Sequence, residues 1–281
     1  MTNPIRVACV QVTSSPIMEE NLTAAGTLIR AAHDAGAILI TTPENVARIV
    51  STYHSPQDYA LAESDHPALV YFRSLARELR IWLLIGSLWI KRSEGGQTNR
   101  SYLLDRNGEI IATYDKVHLF DVSLPNGEIH RESAIHQPGH RLVVTPPAPW
   151  GRLGMSICYD IRFAYLYRAL AQAGATILCV PSAFTVQTGQ AHWHILLRAR
   201  AIETGCYVLA PAQCGLHDQG RRTYGHSLII GPWGNILAEA NDHPGFITAD
   251  INPDLVEKTR SMIPSLLHDR SDLTLESATE R

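Results

Sequence analysis

The chain has 281 residues, of which 45% are apolar and 18% charged, with a formal net charge of −3. This balance supplies a sizeable buried core and excludes both a disordered chain and a basic partner of nucleic acid. No apolar run approaches the ~20 residues that span a bilayer, and the opening "MTNPIRVACVQV" meets Gln11 too early for a signal peptide.

Apolar runs alternate with segments of helical period. The order is strand 5–12, helix 19–36, strand 37–44, helix 67–80 and strand 82–90, followed by a hairpin over 101–116 turning at Arg106-Asn107-Gly108. A polar stretch, 121–139, interrupts the pattern. It resumes with strands 141–145 and 152–158, helix 163–173, strand 176–180 and helix 191–205. Strands 206–212, 225–231, 235–240 and 246–251 follow, and "NPDLVEKTRSMI" reads as a last helix. Continuous apolar strands between amphipathic helices give an α/β layout. The phrase "AAHDAGAILITTPEN" is echoed by "ALAQAGATILCVPSA", which suits two packed sheets with helices outside. No linker divides the halves, so residues 4–270 form a single domain and 271–281 a polar tail.

The five cysteines, at positions 9, 158, 179, 206 and 214, are odd in number and include no C-x-x-C. That pattern argues against a disulfide framework and a cysteine-based structural zinc site, and fits free thiols in a reducing cytoplasm. Three reactive side chains stand at predicted strand ends: Glu44, Lys116 and Cys158. Ligands meet α/β scaffolds at such ends. A carboxylate can take a thiol proton, a thiolate can attack a carbonyl carbon, and an ammonium can hold the resulting oxyanion while lowering the thiol pKa. Taken singly, Glu44 is an ordinary strand-end carboxylate, Lys116 a surface lysine and Cys158 a small core residue. Only the joint pattern carries chemistry. The serine-hydrolase elbow and phosphate-binding glycine loops are absent. His192 and His194 in "HWH" sit two apart on a helix and share no face for a metal.

In order along the chain, "LITTPEN", "YDKVHLFD" and "GMSICYDIRF" resemble the three signature regions of the nitrilase, or carbon–nitrogen hydrolase, superfamily, over about residues 5–270. The resemblance implies a four-layer α-β-β-α sandwich and hydrolysis of a small-molecule amide through a cysteine thioester, with no metal or organic cofactor. By position it implies Glu44 as general base and acid, Lys116 as oxyanion stabiliser and Cys158 as nucleophile. Glu132, in "RES", would orient Lys116 and substrate, and the Tyr159 backbone N–H would complete the oxyanion hole. "PSAFTVQTGQAHWHILLRARAIETGCYVLAPAQCG" and "RRTYGHSLIIGPWG" are most similar to the deaminated glutathione amidase branch, ahead of the omega-amidases. Nitrilase and N-carbamoyl amine hydrolase are the rival activities, and an idle homologue acting as an interaction protein is a rival of another class. Arg162, Arg221 and Arg222 are the candidate cations for a substrate carboxylate, each with a structural ion pair as its alternative. Ala164 and Tyr165 stand where the family usually has proline and glutamate, and Gly231 where it has aspartate. Relatives of this kind imply a homodimer or larger homo-oligomer.

Overall fold

The computed structural model describes residues 4–50, 59–125, 127–270 and 272–274. Five α-helices lie among them: α1 (Met18–Asp34), α2 (Pro67–Leu79), α3 (Ala164–Gln172), α4 (Val186–Thr204) and α5 (Asp254–Met262). The strands build two main sheets. One runs in the order Gly245–Ile251, Ile5–Gln11, Leu39–Thr41, Trp82–Lys91, Gln97–Leu104, Ile110–Asp115, with Leu61–Ala62 beside the far end of Trp82–Lys91. The other runs Ile236–Glu239, Leu228–Ile230, Tyr207–Ala210, Ile177–Cys179, Leu153–Met155, Val143–Val144. Each sheet is parallel at its centre and antiparallel at its flanks.

The period-2 alternation of side chains sorts the strands between two cores. Val7, Cys9, Leu39, Leu84 and Leu103 face the second sheet and pack with Leu153, Ile177 and Leu209. Their neighbours Ala8, Val10, Ile40, Leu83, Ile85 and Tyr102 face the other way, against Ile29, Phe72 and Leu75 of α1 and α2. On the far side of the second sheet, Leu166 and Leu170 of α3 and Trp193 and Leu197 of α4 close the stack. The result is the expected four-layer α-β-β-α sandwich.

The echoed phrases adopt one local structure. Helix α1 ends at Gly36 (φ +89°) and α3 at Gly174 (φ +93°). The closing bonds match as well: Gly36 N to His33 O (2.7 Å) and Ala37 N to Ala32 O (3.1 Å), against Gly174 N to Ala171 O (3.0 Å) and Ala175 N to Leu170 O (3.1 Å). A glycine in the left-handed region turns the chain out of each helix and into a parallel strand.

Several elements differ from the sequence reading, most of the predicted strands being shorter than read. Helix α4 starts at Val186 rather than near 191, because Thr185 caps it through the Thr188 N–H. Its apolar period is masked there by Gly189, where a Cβ would stand 2.2 Å from the Tyr224 ring. The strand before Cys158 stops at Met155, short of residue 158. Two short ribbons, Cys214–Leu216 with Arg222–Tyr224 and Asp121–Ser123 with Ile129–Arg131 inside the polar stretch 121–139, have no counterpart in the sequence pattern, being only three residues a side. Apart from 272–274, the polar tail expected at 271–281 lies outside the described residues.

Candidate active site

Glu44 sits three residues beyond the strand Leu39–Thr41, on a turn laid across Trp82–Lys91. The close approach depends on Gly86, where a Cβ would fall 2.0 Å from Thr42 O and 2.4 Å from Pro43 O. Ser87 Oγ then accepts from Asn45 N (2.9 Å), and Gln213 Nε2 donates to Glu44 O (3.0 Å). The carboxylate is fully engaged: Oε1 accepts from Lys116 Nζ (2.8 Å) and Asn99 Nδ2 (3.0 Å), and Oε2 from Ala183 N (3.0 Å).

Lys116 follows the strand Ile110–Asp115 directly, with its N–H on Asn99 O (2.9 Å). Its side chain is 2% exposed and lies between two carboxylates, Glu44 and Glu132, with Nζ 2.8 Å from an oxygen of each. Glu132 is fixed in turn by Phe120 N (2.7 Å). Burial alone would push the Lys116 ammonium down; Glu132, Glu44 and Cys158 outweigh it and hold the pKa well above its usual value. Glu132, disfavoured as an anion by burial, is held below the usual carboxylate range chiefly by Lys116. This is a buried, mutually paired set, in which deleting one member would leave a charge stranded.

Cys158 opens a single 3-10 turn, Cys158–Arg162, instead of ending the strand. It has φ +49°, a left-handed conformation that costs a non-glycine residue about 1 kcal/mol or more and clusters at functional sites. Pro181 O accepts its N–H (2.9 Å) and Ile157 O accepts that of Asp160 (3.1 Å), and Tyr159, the residue between, lines the cavity. The thiol does not titrate as the sequence suggests. Burial and the Glu44 carboxylate push it up, and Lys116 offsets only part of that. Both upward effects favour the protonated thiol at rest.

Two residues without an assigned role in the sequence hold this arrangement together. Asn99 donates to Glu44 Oε1 (3.0 Å) and Glu132 Oε1 (3.4 Å), bridging the carboxylates from the strand beside Lys116. Asp160, wholly buried, accepts from Ile157 N (2.9 Å) and Tyr114 OH (2.7 Å) through one oxygen. Its other oxygen takes His118 N (3.0 Å) and meets His118 Nδ1 (2.7 Å). It thereby joins the Cys158 turn to the Lys116 loop. Asp160 stands in plain view inside "CYDIRF", but no sequence signal marks Asn99.

Glu44, Lys116, Glu132 and Cys158 line one cavity, walled by Trp89, Phe120, Tyr159 and Phe184. Arg162 and Arg221 also line it. Arg162 stacks over Tyr159 and Phe184, at 5.8 and 5.5 Å from the ring centroids, and meets His192 Nδ1 at 3.3 Å. The buried Nε of Arg221 has no hydrogen-bond partner among the described residues. Arg222 is not among the lining residues and is exposed. It begins the ribbon strand Arg222–Tyr224, where alternation turns it away from the side of Arg221.

The carbon-nitrogen hydrolase family pattern matches residues 6–261. The chain belongs to the carbon–nitrogen hydrolase family. It is 43% identical over 272 residues to the deaminated glutathione amidase of Synechocystis sp., covering 94% of this chain and 98% of that one. The crystal structure of the C. elegans NitFhit protein superimposes with a TM-score of 0.90 at 37% identity, covering 98% of this chain and 67% of the other. An amidase from Nesterenkonia sp. AN1 gives a TM-score of 0.75 at 29% identity over 92% of this chain and 98% of its own; that structure is of a mutant and shows the result of Michael addition of acrylamide at the active-site cysteine. This carbon–nitrogen hydrolase is thus an amidase-type enzyme on the nitrilase fold. No helix among the described residues is long and apolar enough to cross a membrane.

Proposed function

We propose that the chain hydrolyses the terminal carboxamide of a slender, acidic, deaminated-glutathione-like substrate to a carboxylate and ammonia. The observation that carries this reading is the buried Lys116 ammonium, 2.8 Å from both Glu44 and Glu132 in the cavity that holds the Cys158 thiol. As the Cys158 sulfur attacks the amide carbon, Glu44 takes the thiol proton, and the oxyanion forms against Lys116 Nζ and the Tyr159 N–H. The tetrahedral adduct collapses with the proton passing from Glu44 to the amine, so that ammonia leaves and a thioester remains. Glu44 then removes a proton from water, which attacks the thioester carbon. Carboxylate is released, and the Cys158 sulfur recovers its proton from Glu44. A thiol kept neutral at rest suits this order of events, since the base acts only when substrate is present. Glu132 and Asn99 act by holding Lys116 and Glu44 in register.

The substrate class is supported by the likeness to the Synechocystis amidase and by the cations along the cavity, Arg162 and Arg221. Ammonia release from deaminated glutathione and from 2-oxoglutaramate at equal concentration tests it. Faster turnover of 2-oxoglutaramate would move the chain to the omega-amidases, and no turnover of either would remove the reading. The proposal includes a homodimer or larger assembly, for which exposed Ile195, Ile202, Trp233 and Leu267 offer apolar surface. Sedimentation as a monomer at micromolar concentration would refute that part.

A further inference from the structure

Among the described residues, one group of three potential ligands brings its donor atoms together: His194, His226 and Glu239 lie with these atoms within 4.8 Å of one another. None of the three lines the catalytic cavity. From this geometry we infer a binding site for a divalent transition-metal ion of the zinc type, formed by His194 Nε2, His226 Nδ1 and a Glu239 carboxylate oxygen.

The dimensions fit. In tetrahedral zinc with bonds of about 2.0–2.1 Å, neighbouring donors stand about 3.3 Å apart. His194 Nε2 and His226 Nδ1 lie 2.9 and 3.1 Å from Glu239 Oε1, within a few tenths of an ångström of that spacing. The two imidazole nitrogens lie within 4.8 Å of each other and would close toward that spacing by side-chain rotation. Two imidazoles and one carboxylate are a donor set suited to zinc, with water as the fourth ligand. Water has access, since the three side chains are 29%, 28% and 37% exposed.

The ligands are held independently of any ion. His194 projects from the middle of α4, and Glu239 ends the strand Ile236–Glu239, paired with Leu228. His226 adopts φ +54°, with its carbonyl accepting from Trp193 Nε1 (2.7 Å) and its N–H donating to Asn241 O (3.1 Å). The Tyr224 ring stacks on its imidazole, 4.4 Å between centroids at 28°. A strained backbone and a stacked ring fix the orientation of the His226 imidazole. In the metal-free cluster both rings offer an N–H to the same oxygen. Coordination exchanges those protons for the ion, each ring moving its proton to the opposite nitrogen or releasing it. The ion would pin α4, whose first residues wall the catalytic cavity at Thr185 and Thr188, to the edge of the second sheet.

Titration of the full-length chain with zinc or cobalt(II) chloride tests this by calorimetry and by the visible bands of tetrahedral cobalt. One equivalent per chain is expected. His194→Ala, His226→Ala and Glu239→Gln should each weaken binding at least tenfold, whereas Cys158→Ala should leave it unchanged. Zinc at a hundredfold excess over Kd should raise the melting temperature of the unmodified chain by about 5 °C, and that of His194→Ala not at all. Absence of saturable binding would reduce the cluster to three hydrogen-bonded side chains. Binding lost in Cys158→Ala and kept in His194→Ala would assign the ion to the thiol instead. Either result overturns the inference.

Discussion

The floor and the mouth of the catalytic cavity are built on opposite plans. On the floor, every oxygen of Glu44 and Glu132 and the ammonium of Lys116 has a partner, and Lys116 is 2% exposed. At the mouth the cations are half-exposed and loosely committed: Arg162 leans on aromatic faces, and Arg221 Nε has no partner among the described residues. A network of paired charges resists adjustment and fixes reacting atoms, as catalysis by preorganised charge demands, even though Asn99 Oδ1 beside it has no partner among the described residues. An unsatisfied donor is free to take an anionic partner at little cost. The floor should therefore govern kcat and the mouth KM.

That division can be broken by substitution. Cys158→Ala should abolish ammonia release with the fold retained by circular dichroism; measurable turnover would sink the nucleophile assignment. Next, Lys116→Ala should lower kcat on the order of a hundredfold or more, with little change in KM. An unchanged kcat would mean that the oxyanion is held elsewhere. Asn99→Ala should cost kcat about tenfold or more by releasing both carboxylates, and Asn99→Asp should not rescue it, because a third anion replaces the donor. At the mouth, Arg221→Ala should raise KM for an acidic amide about tenfold with kcat nearly constant, the size of one charged hydrogen bond. Arg222→Ala, outside the cavity, should change neither constant. A KM effect of Arg222→Ala equal to that of Arg221→Ala would erase the distinction.

The last effect concerns acid stability. Burial pushes His136, behind Glu132, down to about 4 from an ordinary value of 6.5. The unfolded chain binds the extra proton first, so the stability contributed by neutral His136 is complete above pH 6.5 and is lost as pH falls toward 4. Equilibrium unfolding followed across that window should show His136→Gln flattening the decline by about 1.4 kcal/mol per pH unit. An identical slope would show that His136 titrates freely. His66 and His217, likewise pushed to about 4 by burial, add to the dependence in the same direction.

The strand-end residues are legible in the sequence because chemistry concentrates in short phrases. Glu44, Lys116, Glu132 and Cys158 each stand in a recognisable run, and all four meet in one cavity. The sandwich is readable from alternation and from the repeated Ala-Gly-Ala exit. Other features depend on distances that the linear order does not carry. Asn99 acts through contacts 55 and 33 residues away along the chain, inside an unremarkable strand. Arg221 and Arg222 are equivalent as letters and are separated only by the pleat of a three-residue strand. His194 has no metal partner in its helical neighbour His192, yet its partners lie 32 and 45 residues downstream on other elements (His226 and Glu239). The thiol titrates in the opposite sense from its lysine neighbour's pull, because burial is a property of the fold.

Asp160 has a further physical consequence. One carboxylate clips the backbone next to the sulfur and the backbone next to the ammonium. The two reagents cannot drift apart by degrees while that clip holds. On warming, the enzyme should behave as a fuse: turnover climbs until the clip opens, then stops at the temperature where the whole sandwich melts.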